Sequence, residues 1–245
     1  MEHKFEALLI EIREYLNANQ NPATVQKYAR YFVEGYDAYG VDQKALDVQK
    51  RAWLADNREA LGLDGFILLG DQLVAGSKYE EVFLAYWFVK QFKEHLDIKV
   101  FPHLASWLEN GICNWAMVDS FSMDIVAPFL IKGVVHLEDM AAWRTSQSKW
   151  MRRAVPVSLI KPLQAGMSIE TVFEFIAPLM LDREKVVQQG LRWLLREMWK
   201  LSPEAAENYL LEWKDTCARL IIQYATEKMT KEQKLRFQRH RLRER

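Results

Sequence analysis

The chain has 245 residues, half of them hydrophobic, enough to bury a large core in one helical array or in two smaller bodies. Ten glycines and seven prolines are too few for the many tight turns of an all-β fold. The formal charge is zero, which argues against a uniformly basic polyanion binder until the charge is located. Residues 1–130 hold 12 Lys and Arg against 19 Asp and Glu, whereas residues 131–245 hold 21 against 14. The neutral mean therefore hides a basic C-terminal half, suited to an anionic partner, although two solvated faces of opposite sign would read the same way.

No run approaches the ~18 apolar residues of a membrane span. The first residues, MEHKFEALLIEIREYL, carry acids inside the apolar run and lack a small-residue cleavage site, so no signal peptide is expected. The two cysteines, Cys113 and Cys217, stand far apart and outside any CxxC, which predicts a reduced, intracellular, cytoplasmic protein.

Helical periodicity runs almost from end to end. Phe5, Leu8, Leu9, Ile12 and Leu16 form one apolar stripe over residues 4–18. Asn21 before Pro22 is an N-cap with proline at the first helical position, opening a helix to about Glu34. Further helices are predicted at 42–58, 64–75, 78–95, 98–109, 114–131, 137–146, 148–163, 168–180, 183–200, 203–213 and 215–228. Gly76-Ser77, Asn110-Gly111, Lys132-Gly133 and Ser202-Pro203 are the joints. No alternating run is long enough for a strand.

Paired helices repeated every 35–45 residues or so predict an all-α, HEAT-like helical-repeat solenoid with a concave basic groove; an irregular bundle is the alternative. A single helical domain is expected over 1–229. Residues 230–245, with seven Lys and Arg and few apolar side chains, read as a basic C-terminal tail, frayed or disordered.

There is no GxxxxGK[ST], GxGxxG or GxSxG. The five histidines lack metal-ligand spacing, so no metal and no cofactor are expected. The chemistry falls to carboxylates, arginines and aromatics. In NWAMVDS (114–120), Trp115 and Asp119 stand at i and i+4 on one helical face. SKWMRRAVPV (148–157) brings Lys149, Arg152 and Arg153 into an apolar helix, and LRWLLREMWKLSP (191–203) surrounds Trp193 with Arg192, Arg196 and Lys200. The competing reading makes both tryptophans core residues, Asp119 a cap or ion-pair partner, and Arg153 a structural partner of an acid.

These three segments resemble the DNA alkylation repair enzymes of the AlkD type, HEAT-like glycosylases acting on N3- and N7-alkylated purines. The resemblance covers about residues 20–228 and is sharpest in GLRWLLREMWKLSP. It implies that Asp119 is the catalytic carboxylate, that Trp115 and Trp193 face the deoxyribose, and that Arg153, or Arg152 if the register slips by one, contacts the DNA backbone. Tyr31, in QKYARYFVEGYDAYGV, matches an aromatic near the lesion. Lys149, Arg192 and Arg196 are further candidates for phosphate contact. Ala116-Met117 departs from the Asp-Thr pair that relatives often carry there.

The resemblance implies duplex DNA containing alkylated bases as partner, a monomeric enzyme, and sugar-directed catalysis without a deep base-flipping pocket. No lysine stands in an obvious nucleophile position, so no Schiff-base lyase step is expected.

Overall fold

The computed structural model describes residues 2–227 and 229–238. It is helical, with no strand among the described residues, and no described helix is long and apolar enough to cross a membrane. The chain divides into two compact units, Met1–Ile125 and Val126–Arg245. Residues 126–130 (VAPFL) carry no charge, so the sequence's electrostatic division falls on the same boundary: the first unit holds the acidic excess and the second the basic one.

In the first unit, α1 (Glu2–Ala18) buries Leu8, Ile12 and Leu16 of the expected stripe. α2 (Pro22–Ala29) starts where Asn21 and Pro22 predict, the Asn21 side chain accepting from the amides of Ala23 and Thr24. It ends at Ala29 rather than near Glu34, and it buries none of its own residues. Helix α3 (Gln43–Ala75) joins two expected helices across a kink at Gly62, where φ 58° and ψ −168° are non-helical. It packs against both α1 and α4 (Tyr79–Lys90), and α5 (Phe101–Asn110) leans on it as well. Buried tryptophans in this core have partners for their ring N–H: Trp53 donates to Glu11 at 2.8 Å and Trp107 to Asp71 at 2.8 Å. Lys50 is buried too, ion-paired with Asp47 and set against the rings of Phe83 and Trp87 at 4.5 and 4.6 Å.

The helix expected over 114–131 is three pieces: α6 (Trp115–Phe121), a π-helical turn (Ser122–Val126), and α7 (Ala127–Ile131). Pro128 supplies the cause. It has no N–H to donate four residues back, and its ring crowds the carbonyl there, so the chain takes up an extra residue before continuing.

Prolines explain other shortfalls in the second unit. The helix expected over 148–163 breaks at Leu159 into α8 (Lys149–Ser158) and α9 (Ile160–Gln164), Pro162 lacking the donor that Ser158's carbonyl would need. The one expected over 168–180 is α10 (Ile169–Ile176) followed by a 3-10 turn, Ala177–Leu181, that contains Pro178. Residues Leu137–Thr145 form a 3-10 helix instead of an α-helix.

The centre of the second unit is α11 (Lys185–Leu201), packed against α8, α12 (Pro203–Trp213) and α13 (Arg219–Ala225). Its buried face runs Val187, Gly190, Leu191, Leu194, Leu195, Met198, a helical stripe. Gly190 lets α8 come close: a Cβ there would meet Pro156 Cγ at 3.1 Å and Arg153 O at 3.3 Å.

The frayed tail expected from residue 230 is an ordered segment as far as residue 238. Thr230 and Gln233 exchange capping hydrogen bonds that start α14 (Lys231–Leu235). Phe237 is buried, and the buried Glu207 carboxylate accepts from Gln233 at 2.8 Å and pairs with Arg236 at 2.6 Å. A carboxylate taken from water needs such partners, so this segment completes the unit's polar satisfaction. Residues 239–245 of the basic tail lie outside the described residues.

Candidate active site

The candidate residues divide between the units. Tyr31, Trp115 and Asp119 belong to the first; Lys149, Arg152, Arg153, Arg192, Trp193 and Arg196 belong to the second.

In the first unit, Asn114 is buried and caps α6, its side chain accepting from the Met117 amide at 3.0 Å. That cap fixes where the helix begins, so Trp115 takes its first position and Asp119 stands one turn on, over the same face. Trp115 is not a core residue: it is 39 % exposed, against 1 % for Trp53 and 2 % for Trp107. Its ring is nevertheless held. The indole N–H donates to the Tyr31 carbonyl at 3.1 Å, and the ring stacks on Phe32 at 5.5 Å between centroids and 16° between planes. Phe32 in turn stacks on Tyr36 at 4.5 Å and 11°. Tyr31, expected as an aromatic near the lesion, meets Trp115 through its main chain, while its ring stays exposed under the Arg30 guanidinium. Asp119 is half-buried. A tryptophan fixed at both edge and face, with a carboxylate one turn away, can present a rigid apolar wall and a negative charge to a ligand.

The sequence reading missed the neighbours of this tryptophan. Phe32, Tyr36 and Tyr79 make mutual ring contacts, Tyr36 to Tyr79 at 5.3 Å and Phe32 to Tyr79 at 6.2 Å. With Tyr28 and Glu80 they line a cavity of about 450 Å³. Glu80 is buried, and its carboxylate accepts the amides of Tyr39 at 2.8 Å, Gly40 at 2.7 Å and Val41 at 3.3 Å. Gly40 takes φ 75°, and a Cβ there would stand 2.5 Å from the Asn21 carbonyl oxygen, so glycine is required for the chain to close beneath α2. Burial, then the Glu80 carboxylate, pushes the Tyr36 phenol well above its ordinary value, so it remains a neutral donor. The only sequence signal was the density of aromatics over residues 28–39, which falls mainly in irregular chain with no period to assign them to a face.

In the second unit, Trp193 is half-buried on the flank of α11 away from the Leu191, Leu194 and Met198 stripe. Arg152 is an internal clamp: its Nε donates to Asp182 at 2.6 Å and Nη1 to the carbonyls of Ser146 and Gln147 at 2.6 and 3.2 Å. Arg153 is 4 % exposed and its Nη1 donates to the Val186 carbonyl at 2.6 Å, tying α8 to α11. Lys149 is half-buried and lies 5.2 Å over the Trp150 ring. Arg192 is half-buried on α11; Arg196 reaches Glu197 at 3.8 Å and Glu227 at 3.6 Å, long contacts that leave it available to a stronger anion. Among the described residues, no group of three or more His, Cys, Asp or Glu side chains is placed to hold a metal ion.

Residues 12–229 match the family described as DNA alkylation repair enzyme, which spans most of the chain. The chain belongs to that family. Its fold is similar to that of a solved structure described as a predicted DNA alkylation repair enzyme from Enterococcus faecalis, with a TM-score of 0.66 over 87 % of this chain and 98 % of that one. Identity between the two is 15 %, so the likeness is one of helical fold. No curated protein matches the sequence. Membership of a DNA alkylation repair family fits a role on DNA and makes sense of a second unit with seven more bases than acids.

Proposed function

We propose that this member of the DNA alkylation repair family is a monofunctional DNA glycosylase that hydrolyses the N-glycosidic bond of cationic N3- and N7-alkylated purines in duplex DNA. The observation that carries the reading is the pairing of an outward-facing, rigidly held Trp115 with Asp119 one helical turn away.

Alkylation at N3 or N7 gives the base a fixed positive charge. When the bond from C1′ to nitrogen breaks, the base leaves with the bonding electron pair and becomes neutral, and positive charge develops on the sugar. Asp119 stabilises that charge and orients a water whose oxygen adds to C1′ while its proton passes to the carboxylate or to solvent. Trp115 presents its ring face to the deoxyribose, contributing about 0.5–2 kcal/mol of cation–π attraction as the cation forms. Because the charged base needs no protonation to depart, the scheme requires no general acid.

Phosphate contact falls to the basic second unit. Arg196, Arg192 and Lys149 are the better candidates there, since Arg152 is committed to Asp182 and Arg153 is almost wholly buried. Such contacts position a duplex without reading its sequence.

The test is to incubate the protein with a duplex containing a single N7-methylguanine. Free base in solution and an abasic strand are the expected products. A retarded duplex that stays intact would make the protein a non-catalytic helical scaffold that binds DNA.

A further inference from the structure

Three cations, Arg192, Arg196 and Lys200, follow one another about one turn apart along α11. Two acids lie near Arg196, and they are engaged very differently. Glu197 is taken by Lys200, whose ammonium meets both of its carboxylate oxygens at 2.8 Å. Arg196 reaches Glu197 only at 3.8 Å and Glu227 at 3.6 Å, too long for a hydrogen bond in either case. Glu227 belongs to another element, the turn that follows α13, and α13 packs against α11.

That turn is held on both sides. Thr226 is buried, its hydroxyl donating to the Ile222 carbonyl at 2.8 Å, and its own carbonyl accepts the Met229 amide at 3.0 Å. Met229 is buried as well, and Lys234 of α14 donates to the Glu227 carbonyl at 2.9 Å. The main chain of Glu227 is therefore fixed beside α11. Its side chain is 47 % exposed, so water can take over the carboxylate when its partner leaves.

We propose that Glu227 is a built-in stand-in for a DNA phosphate: it holds the Arg196 guanidinium in the free protein and yields it to a phosphodiester of the bound duplex. The inference rests on the reading of Arg196 as a phosphate contact and adds the regulation of that contact. A phosphate accepts the guanidinium fork in two parallel hydrogen bonds, which the long contact with Glu227 does not make, so the exchange favours DNA. It is not free, however. The duplex must displace an internal anion, and apparent affinity is scaled down by the fraction of molecules in which Arg196 is available. This penalty ignores base sequence and damage alike. It loosens the hold on undamaged duplex, over which a protein bound through phosphates slides and hops.

The experiment measures binding of the full chain to an undamaged, fluorophore-labelled duplex by anisotropy, at about 50 and about 200 mM salt. Because it uses undamaged DNA, its outcome does not turn on whether the protein cleaves. The wild type, Glu227→Gln, Arg196→Ala and the double variant form a mutant cycle. Arg196→Ala weakens binding by about 10-fold and lowers the salt slope by about one. Glu227→Gln binds about 3-fold tighter than the wild type at the lower salt, and the gain shrinks at the higher. Glutamine keeps the size of the side chain and the Lys234 bond is to main chain, so the turn is retained. A gain in affinity cannot come from misfolding. In the Arg196→Ala background the same substitution gives no gain, since the cation it competes for is gone.

Equal gains with and without Arg196 would overturn the inference, because they would report only the loss of a negative charge from the surface. No gain in either background, with Arg196→Ala still weakened, would overturn it too and leave Arg196 standing as a phosphate contact. If Arg196→Ala binds as well as the wild type, the phosphate reading of Arg196 and the inference built on it fall together.

Discussion

Asp119→Asn releases N7-methylguanine from duplex DNA roughly 10²–10³-fold more slowly than the wild type, the expected result of removing one preorganised electrostatic stabiliser. Asparagine keeps the size of the side chain and most of its hydrogen-bonding capacity, so the helix that carries it is retained. What it lacks is the negative charge that an oxocarbenium-like sugar requires. Affinity for the damaged duplex holds or rises slightly, since a carboxylate near phosphates repels them. Single-turnover base release and equilibrium binding on the same duplex separate the two effects. An asparagine variant as fast as the wild type would make Asp119 a structural residue of α6.

The second large effect is on stability. Glu80→Ala strips the acceptor from three main-chain amides, those of Tyr39, Gly40 and Val41, in a stretch where all three residues are buried. Each buried donor left unpaired costs about 1–3 kcal/mol, so the variant loses at least about 3 kcal/mol of unfolding free energy. Urea denaturation reads the loss as a lower midpoint with an unchanged slope. A decrease under about 1 kcal/mol would mean that water entering the adjoining cavity satisfies those amides instead. The residue matters for function because the chain it grips closes beneath α2 and the aromatic cluster.

Much of the fold was legible because helical signals are local. The cap at Asn21-Pro22, the start at Ser202-Pro203 and the stripe of Leu8, Ile12 and Leu16 lie within a few residues of what they determine. Helix continuity was less legible. Apolar periodicity runs through Pro128, Pro162 and Pro178 without interruption, yet each proline deletes a donor, and the backbone answers with a π turn, a break or a 3-10 turn. The order of residues 230–238 was hidden for another reason: it depends on Glu207, more than twenty residues upstream, whose need for partners does not show in sequence.

The candidate site shows the same division. The i, i+4 placement of Trp115 and Asp119 follows from spacing alone, and the exposure of Trp115 removes its reading as a core residue. The environments of the two arginines did not follow. Arg152 meets Asp182 and Arg153 meets the carbonyl of Val186, partners some thirty residues away that a basic pair in a helix does not announce. The aromatic cavity was unreadable because Tyr31 to Val41 is irregular chain, where hydrophobic period carries no information about which face a ring takes.

The central claim is that catalysis acts on the sugar and leaves the base to depart unaided, so lesion charge decides what is removed. Its most direct test is base release by the wild type from two duplexes of identical sequence, one carrying N7-methylguanine and the other uracil at the same position. The account predicts that the methylated base is freed and the uracil strand stays intact through prolonged incubation. Efficient release of uracil, an uncharged base that needs protonation or strong stabilisation to leave, would contradict it and require a general acid that neither Asp119 nor its neighbours supply.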